Sequence, residues 1–415
     1  MSNAFTWVFI AALAAASATR LWLTLRQIRH VRAHRGAVPG MFAETIPLSA
    51  HQKAADYTTA KARLGIVDTA LDVVILLALT LGGALQWLAD LWARAFSVES
   101  LWHGTGVILS VFLLKGVLGL PLDLYRIFVV EERFGFNRIT PRLYVIDLVK
   151  HLLVGAVLGI PLLLVVLWLM QAAGALWWLY AWIVLVAYSL FLQMIYPAVV
   201  MPLFNKFSPL TDPVLAARVE ELLRRTGFRS RGLYVMDGSK RSSHGNAFFT
   251  GFGGAKRIVL FDTLVSRLAP PEVEAVLAHE LGHYRLHHIV KNLVLSAALS
   301  FAGLWLLGQL IDKPWFYDGL GVATPGTAAA LALFLLVIPE FLFFLDPVAS
   351  RFSRKHEFEA DAYAVAHADR AELEQALVKL YRDNAATLTP DPLHSAFYDS
   401  HPPAAVRIAR LKEAT

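Results

Sequence analysis

The chain contains no cysteine among its 415 residues. Disulfide bonds, thiolate metal ligands and cysteine nucleophiles are therefore excluded, and any metal ion must be held by nitrogen and oxygen atoms. Charged residues are also scarce, at 17% against the roughly 25% of soluble proteins, while 57% of the residues are hydrophobic. A soluble surface could not carry so many apolar side chains without aggregating, so the composition indicates an integral membrane protein.

Seven segments of the chain are long and apolar enough to cross a lipid bilayer as helices. These segments are 5–25, 73–91, 106–130, 148–170, 176–200, 289–311 and 327–345. Lysine and arginine are concentrated between the first two segments and are absent from 171–175, and this bias predicts which loops face the cytoplasm. The N-terminus is then outside, and the two longest polar regions lie together on the cytoplasmic side.

These boundaries divide the chain into four predicted parts. They are five spans with their loops in 1–200, a cytoplasmic segment in 201–288, two spans in 289–345 and a second cytoplasmic segment in 346–415. The formal net charge of +6 is attributed to loops that face an anionic membrane leaflet, so no nucleic-acid partner is expected.

The segment 201–288 has the patterning of a soluble domain. Its periodicity predicts a helix at 212–226 and strands at 233–237, 246–252 and 257–262, with a turn at 253–256 between the last two strands. Pro270 and Pro271 start a further helix, because proline is tolerated in the first helical turn.

That last helix contains the sequence His279-Glu280-Leu281-Gly282-His283. Histidines four residues apart lie on one helical face, which suits tetrahedral Zn²⁺, and the glutamate between them is placed to activate a water molecule. The alternative is that histidines here lie at the membrane boundary, with apolar parts in lipid and polar ends in water. We favour that alternative only for the neighbouring His287 and His288.

A catalytic zinc ion needs a third protein ligand and an open position for water. Glu357 and Asp361 follow the seventh apolar segment and are four residues apart. One helical face can therefore offer Glu357 to the metal and Asp361 to the N–H of a ligand histidine, while Glu359 points away. For this segment alone, a solvated acidic helix is the alternative. With the zinc motif, the sequence predicts one Zn²⁺ per chain, held by the two motif histidines and Glu357.

Charged residues inside the predicted spans include Lys115, Asp123, Arg126 and Glu340. Charges are costly in lipid, so these side chains must face protein or water. A water-filled chamber and pairing between side chains, for instance of Asp123 with Arg126, both explain them.

Several motifs together resemble the integral-membrane CAAX prenyl proteases of type 1. They are the zinc motif at 279–283, EFEAD at 357–361, ERFGFN at 132–137, PLFNKF at 202–207 and the strand pair within 246–263. The resemblance runs from about residue 53 to residue 403, nearly the whole chain. The smaller heat-shock membrane metalloproteases share the zinc residues but have fewer spans and lack the segment at 132–137.

The resemblance implies a fold and further site residues. We expect an all-α polytopic membrane protein whose seven transmembrane helices enclose a chamber, with a small α+β zinc metalloprotease region on the cytoplasmic face. By position, Glu280 corresponds to the catalytic base, and His401 and Arg407 correspond to residues of the cleft. We expect the last two to stabilise the oxyanion; the alternative is a capping histidine and a surface arginine.

The resemblance also implies that Asn246 and Ala247 belong to a substrate-binding edge strand. We extend this strand to Phe248, because a free strand edge can align an extended peptide through main-chain hydrogen bonds. A strand paired on both sides is the alternative.

The expected activity is hydrolysis of peptide bonds near the C-terminus of prenylated or related membrane-associated peptides by a zinc metalloendopeptidase. The expected partners are a peptide or protein substrate, possibly lipidated, and membrane lipid. The alanine- and arginine-rich composition suggests a bacterial inner membrane, with the active site facing the cytoplasm. One alternative is a broad quality-control protease. Another is a transporter or channel with a structural zinc ion, which would have no use for Glu280.

Overall fold

The structure is a computed structural model that describes residues 3–250 and 257–413. The first half of the chain is helical and contains most of the long helices. Its α-helices are α1 (Ala4–Ala33), α2 (Leu48–Leu79), α3 (Ala84–Ala93), α4 (Leu101–Tyr125), α5 (Pro141–Ala172), α6 (Trp177–Ile195) and α7 (Met201–Phe204). α4 and α6 each continue into a π-helical turn, at Arg126–Glu131 and Tyr196–Val200. The turns lengthen both spans without breaking them.

A small α+β region follows α7. Its elements are β1 (Phe207–Pro209), α8 (Pro213–Arg225), β2 (Leu233–Met236), β3 (Ala247–Thr250), β4 (Arg257–Phe261), α9 (Asp262–Val265) and α10 (Pro270–Arg285). The predicted helices and strands are therefore present within one to two residues, whereas β1 was not predicted. The predicted turn at 253–256 and the last two residues of the strand predicted at 246–252 lie outside the described residues. The four strands form one sheet in the order β1-β2-β4-β3, in which only β2 and β4 are parallel.

The C-terminal part begins with two further membrane helices. Its elements are α11 (His288–Leu310), α12 (Pro314–Gly319), α13 (Thr327–Leu342), α14 (Asp346–His367), α15 (Arg370–Asp383), α16 (Pro392–Tyr398) and α17 (Ala404–Glu413). Among the described residues, six helical runs are long and apolar enough to cross a membrane, and a seventh is a bent pair of helices. The mostly helical, multi-span fold predicted from the sequence is thus confirmed.

The second predicted span, 73–91, differs from the prediction. It is not one helix: α2 and α3 meet at an angle of 52° across a four-residue break. The Thr80 hydroxyl donates to the Leu76 carbonyl at 2.6 Å, and Gly83 adopts the left-handed conformation with φ of 76°. Glycine takes that conformation without steric cost, so the chain turns here although its hydropathy is continuous.

The two largest of the apolar cores among the described residues lie in different parts of the structure. One lies among the membrane helices and includes Phe9, Leu79, Leu167 and Leu333. The other lies in the α+β region and joins residues of α8 and β4 to residues of α10, α15 and α17, among them Leu222, Ile258, Leu277, Leu373 and Ile408. Segments far apart in the chain, before and after the last two membrane helices, therefore share one core.

Charged residues in the membrane helices form ion pairs. The pairs are Arg20–Glu340, Arg126–Asp68, Arg126–Asp123 and Lys115–Asp72, with N–O distances of 2.6, 2.6, 2.8 and 3.8 Å. All four charged residues noted in the predicted spans therefore have partners. Pairing is one of the two explanations that the sequence left open, and it includes the predicted contact between Asp123 and Arg126.

Candidate metal centre

α10 carries the zinc motif and is packed closely against α14. The backbone of Ala269 donates to the Glu272 carboxylate at 2.7 Å, which caps the start of α10. Gly282 lies so near α14 that a Cβ atom there would be 2.9 Å from the Cα of Ala360. Ala360 and Ala364 are buried, as expected from their small size. Gly282 on α10 and Ala360 on α14 let the two helices approach closely enough for their polar side chains to meet.

Three side chains from these two helices converge on one point. The Nε2 atoms of His279 and His283 are 3.1 Å apart. The Glu357 carboxylate oxygens lie 3.5 Å from His279 Nε2 and 3.3 Å from His283 Nε2. Tetrahedral zinc with bonds of about 2.0–2.1 Å separates its ligand atoms by roughly 3.3–3.4 Å. The spacing and the nitrogen and oxygen donors therefore fit Zn²⁺, and Glu357 Oε2 is a buried atom without a hydrogen-bond partner among the described residues.

The other carboxylate on this face, Asp361, contacts His279 as predicted. Its Oδ1 atom is 2.8 Å from His279 Nδ1. Arg407 donates to both Asp361 oxygens, from Nε at 2.7 Å and from Nη2 at 2.6 Å. Burial alone would lower the pKa of Arg407, but the Asp361 carboxylate raises it. The guanidinium therefore stays charged although only 5% of the residue is exposed.

A cavity of about 260 Å³ opens in front of these residues. Glu280 lines it, and burial raises the pKa of the Glu280 carboxyl. His401 lines it as well; its Nε2 atom is 3.5 Å from Glu357 Oε1, and 66% of its side chain is exposed. Arg407 reaches the cavity from α17, so the structure brings both predicted C-terminal residues to the cluster.

β3 reaches the same cavity from the other side. Among the described strands it pairs only with β4, so its second edge is free. Asn246 and Ala247 line the cavity in front of Glu280. Phe248 instead lines an adjoining cavity of about 320 Å³, together with His279 and Glu280. The edge position expected from the sequence is therefore present.

The prediction for His288 was wrong. The His288 side chain does not extend into lipid or water: only 2% of the residue is exposed, and its two ring nitrogens contact His283 Nδ1 at 3.0 Å and Glu359 Oε2 at 2.9 Å. Glu359, which was predicted to point away from the metal-binding face, contacts His288 and is not one of the three converging side chains. The cause is a break between α10 and α11 at Leu286 and His287, where His287 adopts φ of 58° and turns His288 back beneath α10. A continuous helical pattern could not predict this contact.

Comparisons with known proteins agree with the fold and the cluster. A family model described as CAAX prenyl protease N-terminal, five membrane helices, matches residues 27–206, and one described as peptidase family M48 matches residues 209–415. Two similar proteins are the CAAX prenyl protease 1 homolog of Arabidopsis thaliana and CAAX prenyl protease 1 of Saccharomyces cerevisiae. The first is 31% identical over 94% of this chain and 93% of its own, and the second is 37% identical over 72% and 69%.

A solved structure is also similar. The crystal structure of S. mikatae Ste24p superposes with a TM-score of 0.90 at 30% sequence identity, covering 99% of each chain. Fold and site together thus define an integral multi-pass membrane metalloprotease with a metal cofactor. The chain belongs to the CAAX prenyl protease 1 family, within peptidase family M48. This membership favours the protease over a transporter or channel.

Proposed function

We propose that His279, His283 and Glu357 hold one Zn²⁺ ion per chain and that Glu280 is the general base. The observation that carries this proposal is the set of 3.1–3.5 Å separations among the three side chains. Bound zinc polarises the scissile carbonyl and lowers the pKa of a water molecule. Glu280 takes the proton of that water and returns it to the leaving amine. Its raised pKa suits a group that must accept a proton and later release it.

His401 and Arg407 stabilise the oxyanion in this proposal, and they are held differently. Two of the three guanidinium nitrogens of Arg407 are bonded to Asp361, and the third, Nη1, lies 3.4 Å from Glu357 Oε2. His401 is mostly exposed and can adjust to the substrate. Donors aimed at the developing negative charge lower the barrier because their bonds strengthen in the transition state.

In this proposal the substrate pairs as an added strand with residues 246–248, which comprise the residue before β3 and the first two residues of its free edge. Such pairing uses main-chain hydrogen bonds and leaves the substrate sequence loosely specified. Asn246 and Ala247 line the same cavity as Glu280, so a paired peptide would run through the cavity that contains the base.

The proposed substrate is a peptide cleaved near a prenylated C-terminal cysteine. The support is twofold: the relatives are named CAAX prenyl proteases, and an apolar cavity of about 1230 Å³ adjoins β3. Its lining includes Gly155 and Leu158 of α5, Tyr196 beyond α6, Phe248 of β3 and Ile289 of α11. An isoprenoid chain needs an apolar site of this kind, because its transfer from water is driven by the hydrophobic effect.

We further propose that two segments fold together into one cytoplasmic catalytic unit. These are 201–288, which follows the spans in 1–200, and 346–415, which follows the spans in 289–345. The support is the apolar core that the two polar segments share. The lysine and arginine residues concentrated between the first two predicted spans support a cytoplasmic location for this unit, and the composition supports a bacterial inner membrane.

The substrate proposal is tested with farnesylated and unmodified forms of one peptide and the purified full-length protein. We expect kcat/KM to be at least about tenfold higher for the farnesylated form, since partial burial of the isoprenoid exceeds the ~1.4 kcal/mol that this preference requires. Gly155→Phe places an aromatic ring in the apolar cavity and should reduce the preference. Gly159→Phe, on the same helix but outside that lining, should retain it. Equal cleavage of both peptides would instead favour a broad quality-control protease.

A further inference from the structure

A second cluster of side chains lies next to His283, outside the three side chains of the candidate metal centre. It consists of His288, His356 and Glu359. His288 and His356 are 2% and 4% exposed, and their rings stack with centroids 4.0 Å apart. His288 Nδ1 is 3.0 Å from His283 Nδ1, and His288 Nε2 is 2.9 Å from Glu359 Oε2. The cluster therefore touches the metal centre through one atom pair.

Counting protons assigns the direction of each hydrogen bond. His283 faces His279 and Glu357 with Nε2, so a metal bound there leaves the neutral ring's proton on Nδ1. Among residues 3–250 and 257–413, the atom placed to accept this proton's hydrogen bond is His288 Nδ1, at 3.0 Å. His288 must then carry its own proton on Nε2, from which it donates to Glu359. Each of these two contacts then has one donor and one acceptor.

The same count excludes a second metal ion in this cluster. A ligand nitrogen must present a lone pair, whereas His288 Nε2 carries a proton when its Nδ1 accepts from His283. The ring planes of His288 and His356 are also within 10° of parallel. Nitrogen lone pairs lie in the ring plane, so two stacked rings cannot direct them to one ion. Proximity alone therefore does not make these three side chains a metal site.

We propose that His288 and Glu359 are positioning residues that orient His283 for the metal. This inference rests on the proposed function, in which His279, His283 and Glu357 bind the zinc ion. Partners on the second nitrogen of a metal-bound histidine fix its tautomer and ring orientation and raise its basicity. His279 receives this support directly from Asp361, while His283 receives it from Glu359 through the intervening ring of His288. Lys291 and Lys355, 3.8 and 3.7 Å from Glu359, keep that carboxylate charged.

The test compares zinc affinity, measured by chelator competition, among variants of the full-length protein. His288→Phe keeps a flat ring but has no acceptor, whereas His288→Asn places its side-chain oxygen where Nδ1 was. We expect the Phe variant to bind zinc about 10- to 100-fold more weakly, and the Asn variant to recover most of that loss. Glu359→Ala should weaken binding less than His288→Phe, because the acceptor for His283 remains.

His356→Phe is the matched control, since it preserves stacking on His288 and removes only the nitrogens. We expect it to bind zinc like the wild type, at one ion per chain. Unchanged affinity in His288→Phe, an Asn variant as weak as the Phe variant, or a second zinc ion that is lost in His356→Phe would each overturn the proposal. His283→Ala distinguishes failure of the proposed function from failure of this inference. If His283→Ala retains zinc, His283 is not a zinc ligand and the proposed function fails. If His283→Ala loses zinc while His288→Phe binds it like the wild type, only the positioning role of His288 fails.

Discussion

Glu357 and Asp361 lie one turn apart on the same face of α14, yet their surroundings give them different chemistry. Both Asp361 oxygens accept hydrogen bonds from Arg407, and one also contacts His279. Glu357 Oε2 has no hydrogen-bond partner among the described residues. A carboxylate whose lone pairs are occupied makes a poor metal ligand, so Arg407 helps to decide which of the two carboxylates faces the metal position.

The same contacts separate the roles of the two C-terminal residues. His401→Ala and Arg407→Ala should each lower kcat by about 10²- to 10³-fold with KM little changed, because each removes a donor to the oxyanion. Only Arg407→Ala should also lower the free energy of unfolding, by about 3–5 kcal/mol, since it leaves the Asp361 carboxylate buried without its partner. Steady-state kinetics and denaturant unfolding measure the two effects.

Wild-type kcat in both variants would contradict the catalytic role and return the C-terminal helix to a structural one. Zinc content, determined on the same samples, shows whether a loss of kcat reflects a lost metal ion instead.

At the scale of elements, the crossing of α10 and α14 sets the spacing of the metal centre. The two histidines lie on one helix and Glu357 on the other, so any separation of the helices pulls the carboxylate away from the imidazoles. Gly282 is the residue that permits the close approach, because a Cβ there would meet the Ala360 backbone at 2.9 Å.

Gly282→Ala should therefore lower both stability and zinc affinity. Overpacking of this kind costs about 1–3 kcal/mol in the free energy of unfolding. Gly159→Ala, also within a helix but with nothing within 4 Å of an added Cβ, is the matched control and should leave both quantities unchanged. If Gly282→Ala weakens neither property relative to that control, the helix spacing does not govern the site.

At the scale of the whole molecule, local patterns predicted most elements but few of the contacts between them. Long apolar runs identified the membrane helices, and the spacing of His279 and His283 identified the face that meets Glu357. Hydropathy could not show the bend between α2 and α3, because it depends on Thr80 and Gly83 rather than on polarity.

The contacts around the site that were missed connect residues far apart in the chain. The contact of His288 with Glu359 spans 71 residues, and it exists because the chain reverses at His287. The bond from Arg407 to Asp361 spans 46 residues and requires α15, α16 and α17, none of which carries a motif of its own. For that region, resemblance to a known family indicated the site residues before any local pattern did.

The central claim is that one zinc ion is held by His279, His283 and Glu357 and that Glu280 supplies the base. The most direct measurement determines zinc per chain and peptide-cleavage rate on the same preparations of Glu280→Gln and Glu357→Ala. Glu280→Gln should retain one zinc ion and lose turnover, because only the proton acceptor is removed, whereas Glu357→Ala should lose the zinc as well. Full zinc occupancy in Glu357→Ala, or turnover at the wild-type rate in Glu280→Gln, would contradict the account.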